Sequence, residues 1–136
     1  MAGAKTPRQL AQQQASHPIV SAILDATDLE YEDVDVPEWG VKVRVRCLDG
    51  QGRDAYEASL FALKQAGDSA QMEAKFGNRR ARLLERCLYD PDTDERLPIT
   101  AEQLSRKSGA VLDRLSEVAL RLSGMTARGR RDVEGN

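Results

Sequence analysis

The residues able to do chemistry are few and scattered. His17 is the single histidine. It has no second His or Cys near it in the chain, so neither a metal site nor a general base is expected there. Cys47 and Cys87 are far apart and outside any metal-ligand spacing. Cys47 ends a strand-like run and Cys87 lies among Leu83, Leu84 and Leu88, which reads as two reduced thiols in or near the core. No serine has a histidine partner in a structured place. Asp49-Gly-Gln-Gly52 lacks the further glycines and the lysine of a phosphate-cradling loop, and reads as a strand-to-helix turn. Carboxylates crowd Asp25 to Glu38, but valines interrupt them at strand spacing, so a solvated strand face is preferred to an acid–base pair. No catalytic residue, metal or cofactor is expected.

Two features suit binding. Asn78-Arg-Arg-Ala-Arg82 places Arg79 and Arg82 on one helical face, with Arg80 pointing elsewhere. No aromatic beyond Phe76 is interleaved to stack on bases, so nucleic acid is the lesser reading. The others are a solvated helix ion-paired to Glu85 and Glu73, or a basic patch for an acidic protein. Trp39 is the single tryptophan. It sits at a hairpin tip, where it either folds back onto helices, the preferred reading, or meets a partner as a hot-spot anchor.

These residues need a scaffold, and 136 residues suffice for one domain with a real core. Apolar residues make up 40% and charged ones 31%, which suggests a modest core under a well-solvated surface. With 4% aromatics, aliphatic packing must carry the stability. The 20 basic and 22 acidic residues leave a net charge of -2, so the total points to neither nucleic acid nor an anionic membrane. No apolar run approaches the roughly 18 residues that span a bilayer, and the N-terminus is unlike a signal peptide. A soluble, cytosolic protein without disulfides is expected.

The elements follow from periodicity. Residues 1–15 read as a flexible arm with a helical turn or two. Pro18 to Asp25 reads as a short helix capped by Ser16. Tyr31-Glu-Asp-Val-Asp-Val36 and Val41-Lys-Val-Arg-Val-Arg-Cys47 alternate at period two, which predicts two half-buried strands. Folding them back across Pro37–Gly40 pairs Val36 with Val41, Val34 with Val43, Asp35 with Lys42 and Asp33 with Arg44. A lone hairpin is marginal in water, so its apolar face must pack on helices.

Asp49 caps a helix over Gly50 to Ala66, with Tyr56, Leu60 and Leu63 on one face. Gly67 and Asp68 end it, and Asp68 or Ser69 caps a helix to about Leu88, lined by Met72, Phe76, Leu83 and Cys87 and interrupted at Gly77. Tyr89 to Pro98 reads as a polar loop turning at Asp90-Pro91-Asp92. Thr100-Ala-Glu-Gln103 is a capping box. Ser108 caps the last helix, striped by Val111, Leu112, Leu115, Val118, Ala119 and Leu122 and stopped at Gly124. Residues 125–136 read as a flexible tail. The fold class is α+β: one β-hairpin packed against a mostly helical single domain over residues 16–124, with flexible N- and C-terminal arms.

The ordered motifs resemble a known family, the tail assembly chaperones of long-tailed bacteriophages. They are Val34-Asp-Val-Pro-Glu-Trp-Gly-Val-Lys-Val-Arg-Val-Arg46, then Leu48-Asp-Gly-Gln-Gly-Arg-Asp54 leading to Glu57, then Asn78-Arg-Arg-Ala-Arg-Leu83. Leu104-Ser-Arg-Lys-Ser108, Leu112-Asp-Arg-Leu115 and Leu122-Ser-Gly-Met125 complete the series. Each motif is weak alone, and the match lies in their order and spacing. The chain departs at Ser105, where the family pattern has Gly, and Met1 to Ala15 has no counterpart.

The resemblance implies a non-enzymatic helper in the host bacterial cytoplasm. It would bind the tape measure protein, help to recruit tail tube protein subunits and stay out of the finished virion. In many phages a ribosomal frameshift makes a longer form, of which this chain would be the short counterpart. No membrane is involved. Trp39, Arg79, Arg82, Leu115 and Leu122 are the partner-binding candidates on the hairpin, the basic helix and the terminal helix. The rival readings are a small phage nucleic-acid-binding regulator and a minor tail or head-completion structural protein.

Overall fold

The computed structural model describes residues 3–65 and 78–125. Its elements are α1 (Pro7–Ala15), α2 (Pro18–Asp25), β1 (Tyr31–Val36), β2 (Val41–Arg46), α3 (Gly50–Gln65), α4 (Arg79–Cys87), β3 (Leu88–Tyr89), α5 (Ala101–Ser105) and α6 (Gly109–Leu122). The expected α+β class is observed.

The hairpin forms in the expected register, with all four predicted pairs opposite one another. Alternation fixes which face is apolar, and a one-residue slip would bury the acids. Gly40, at φ +69°, supplies the left-handed residue that brings the chain into β2. Arg44 grips Asp33 in a bidentate pair, donating from Nε and Nη2 at 2.8 and 3.2 Å. Val36, Val43 and Val45 are buried, whereas Val41, just after the turn, keeps 52% of its surface.

A third strand, β3, extends the sheet to the order β1-β2-β3, with Val45 opposite Leu88. By sequence pattern Leu88 belongs to a helix and Tyr89 to a loop. Two residues are too few to show alternation, and it is the pairing with β2 that makes them a strand. The following loop turns as expected: the Asp90 carboxylate accepts from the Asp92 and Thr93 N–H groups. Asp94 sits at φ +59° and accepts from both Arg44 and Arg46, which ties this loop to the outer face of the sheet.

The inner face of the sheet packs on α4 and α6. Leu83, Leu84, Leu88, Leu104, Val111 and Leu115 fill the core with the valines. Both cysteines are free, and Cys87 lies buried in that core. Burial pushes its thiol up to about 12, so it stays protonated. Desolvation also raises the half-buried Cys47.

Caps close the helices where local chemistry allows. The Asp49 carboxylate accepts from the Gly52 N–H at 2.7 Å. A Cβ on Gly52 would stand 3.1 Å from that same oxygen, so a side chain there would make the Asp49 carboxylate shift by a few tenths of an ångström. The Thr100–Gln103 capping box is present in both directions. Ser108 stands at the N-cap of α6 but makes no side-chain bond there. Gly124, at φ +70°, ends α6, with the Met125 N–H bonded to the Leu120 carbonyl and the Gly124 N–H to that of Arg121.

The N-terminal region differs from expectation. A nine-residue α1 forms from Pro7, with a capping box between Thr6 and Gln9, where only a turn or two was expected. The α2 cap is His17, whose Nδ1 accepts from the Val20 N–H, and not Ser16, which closes α1 instead. Neither helix has a buried residue, and they pack chiefly on each other. Met72, Phe76, the Gly67–Ser69 helix boundary, the break at Gly77 and the tail beyond Met125 lie outside the described residues. So does the side chain of Leu63.

Candidate functional site

The hairpin tip is held against α6. Trp39 is half-buried and packs on the core. Beside it, Glu38 receives both Arg114 guanidinium arms at 2.9 Å. Those hydrogen bonds draw the Glu38 carboxyl down to about 2 and raise Arg114. At the other end of β1, Arg121 donates to Glu32 at 2.5 Å. Arg114 and Arg121 are two turns apart on α6, so one side of that helix runs along β1 and clamps it at both ends.

The partner-binding candidates separate in space. Leu115 is 0% exposed, and its whole side chain is spent in the core, so it offers no surface. The apolar stripe of α6 closes the fold and is not displayed to a partner. Leu122, on the last turn, stays half-exposed. Arg82 is exposed, whereas Arg79 is half-buried. Arg80, expected to point away from them, pairs with Asp113 of α6 at 2.5 Å. The exposed apolar surface lies elsewhere: Ile19, Ile23 and Leu24 on α2, Leu10 on α1 and Phe61 on α3 all face solvent. Ile19 and Ile23 are one helical turn apart and therefore share a face.

Arg79 and Arg80 stand on the lip of a groove of about 160 Å³ between α3, α4 and α6. Tyr56 comes from α3, and Arg79 and Leu83 are one turn apart on α4. From α6, Asp113, Ser116, Glu117 and Leu120 fall at i, i+3, i+4 and i+7, one helical face. Ser116 is buried, and its hydroxyl has no hydrogen-bond partner among the described residues. Burial raises the Tyr56 hydroxyl above its ordinary value. In sequence Ser116 carries no signal of its own, although its place between Leu112 and Ala119 puts it within the apolar stripe.

Among the described residues, no group of three or more His, Cys, Asp and Glu is placed to hold a metal, and no helix is long and apolar enough to cross a membrane. His17 works as a helix cap.

One solved structure overlays 84% of this chain and 97% of its own, at a TM-score of 0.55 and 23% identity. It is the structure of the bacteriophage HK97 tail assembly chaperone. This chain has that fold. No family model matches the chain. No curated protein matches it.

Within this fold the motifs that carried the sequence resemblance meet one another. Ser123, of the last motif, accepts from the Leu48 N–H at 2.9 Å, and its carbonyl receives Arg53 at 3.3 Å. Glu38, in the hairpin motif, pairs with Arg114 of the Leu112-Asp-Arg-Leu115 motif, and the Asp113 of that motif pairs with Arg80 of the arginine motif. Stretches distant in sequence thus meet in the folded chain.

Proposed function

We propose that this chain is a phage tail assembly chaperone. In this reading it binds the tape measure protein of the same phage in the host cytoplasm and helps to bring in tail tube subunits. It is no enzyme and does not remain in the virion. The observation that carries the reading is the likeness of fold to the HK97 tail assembly chaperone over 84% of this chain and 97% of that one. The motif order points the same way.

The surface is compatible with such work. A chaperone that must release its client needs modest apolar contact beside charge. Ile19, Ile23 and Leu24 provide the apolar contact, and the exposed Arg82 with the half-exposed Trp39 and Leu122 provides further contact positions. A frameshifted longer form of the chain is a second partner under this reading.

Co-expression with the tape measure protein is expected to raise that protein's solubility and to yield a co-purifying complex. No gain and no complex would count decisively against the proposal. An Ile23→Asp substitution should weaken the complex without lowering the melting temperature, because Ile23 is exposed. Detection of the chain in purified virions would favour a minor structural protein instead.

A further inference from the structure

We propose that the free edge of β1 takes up an extended segment of a partner protein in which apolar and basic residues alternate. The register fixes which backbone groups face that edge. The Cys47 N–H bonds the Glu30 carbonyl, and bonded pairs in an antiparallel ladder recur at every second residue. Glu32, Val34 and Val36 therefore bond to β2, while the N–H and C=O groups of Tyr31, Asp33 and Asp35 point away from it. β1 is the outer strand of the order β1-β2-β3, and among the described residues these outward groups have no hydrogen-bond partner. Tyr31, Asp33 and Asp35 are all exposed, so water reaches this edge. Such a row of unmade bonds is a template for one more strand.

Charge names the occupant. Residues 25–36 hold six acids, Asp25, Asp28, Glu30, Glu32, Asp33 and Asp35, and no base. Arg44 holds Asp33 and Arg121 holds Glu32, but Asp35 meets Lys42 only at 3.8 Å and keeps 81% of its side chain exposed. Asp25, Asp28 and Glu30 have no ion pair among the described residues. A second copy of β1 would set acid against acid, which is unfavourable across a strand pair. A basic strand reverses the sign of those contacts. β2 shows that β1 accepts this pattern, since Val41-Lys-Val-Arg-Val-Arg46 already pairs with it on the other side. The apolar positions follow from the inner face. There an added strand would turn every second side chain toward the partly buried Val34 of β1 and Val118, which lies between Arg114 and Arg121 on the side of α6 that runs along β1.

This adds to the chaperone reading without resting on it. The probe is a blocked six-residue peptide of alternating lysine and valine, titrated into the isotope-labelled full chain and followed by NMR. Saturable shifts are expected along β1, with amide exchange at Tyr31, Asp33 and Asp35 slowed about tenfold or more at saturation. A glutamate–valine peptide of the same length, and one with its three lysines before its three valines, should give no such slowing. Asp35→Pro takes away one outward N–H without breaking a bond to β2, so the chain should stay folded and lose the peptide. Asp35→Lys, at an exposed side chain, should weaken binding several-fold and leave the melting temperature unchanged.

Equal slowing by either control peptide, shifts confined to other surfaces, no saturable response, or undiminished binding to Asp35→Lys or to a folded Asp35→Pro chain would each overturn the proposal. So would slowed exchange of those three amides in the chain alone, which would mean that the chain itself or a second copy already takes the edge. If the peptide adds to β1 and the tape measure protein does not bind, the edge stands and the chaperone reading falls. If the tape measure protein binds and the peptide does not, the chaperone reading stands and the edge proposal falls.

Discussion

At the scale of single residues, the informative groups are short polar side chains that join distant segments. Ser123 is the clearest case. Its hydroxyl accepts from the buried Leu48 N–H and donates to the Ala119 carbonyl at 2.7 Å. Ser123→Ala leaves that N–H without an acceptor, and a loss of about 1–3 kcal/mol is expected, read as a lower urea midpoint at unchanged slope. Asp49→Ala removes the α3 cap and should lower stability by about 1 kcal/mol in the same assay.

Glu38 responds to pH. Its folded carboxyl titrates near 2 against an ordinary 4.5, because Arg114 stabilises the charged form. The unfolded state therefore takes up the proton first as pH falls. The Arg114 tie is fully present above about 4.5 and is lost as pH drops toward about 2. Melting temperatures across that window should fall more steeply for the native chain than for Glu38→Gln. Asp33 and Asp94, lowered by Arg44 and Arg46, add to the acid sensitivity of both chains.

At the scale of elements, the hairpin and α6 were legible because each carries a long period with a single solution. Valine alternation allows one register, and the stripe of α6 allows one buried face. Leu115→Ala, at the centre of that stripe, should cost about 2–5 kcal/mol through the cavity it leaves. β3 was not legible, because its two residues become a strand only by meeting β2. The α1 helix hid for another reason: its Gln- and Ala-rich sequence has no apolar stripe, although Thr6 and Gln9 carried a capping-box signal. Of the candidate site, Trp39 was read in the right place, packed back onto the core. The stripe that located Leu115 also withdrew it from the surface. Ser116 escaped notice because one serine within an apolar face looks like tolerated variation until its hydroxyl is seen to lack a partner.

At the scale of the whole molecule, the packed unit and the N-terminal helices separate. α1 and α2 contribute nothing to the buried core, whereas the Cys47 N–H already bonds the Glu30 carbonyl. A chain beginning at Thr27 should therefore unfold at a denaturant midpoint equivalent to within about 0.5 kcal/mol of the full chain. It should bind its client less well if α2 supplies the contact. Both arms of that experiment use the same truncated protein, so a folding defect would show itself directly.

The clamping of β1 by Arg114 and Arg121 has a consequence for how the molecule comes into being. The hairpin emerges early in synthesis, but one of the two helices that cover it emerges much later, with Glu32 waiting for Arg121 eighty-nine positions downstream. Until then only α4 covers the inner face of the valine ribbon, and the final packing cannot be reached in stages from the front of the chain. Folding becomes a late, nearly single event, slowed by the long loop it must close. Any alteration that delays or displaces α6 leaves a half-sheltered, sticky intermediate, so damage to that helix is felt first at β1 and β2.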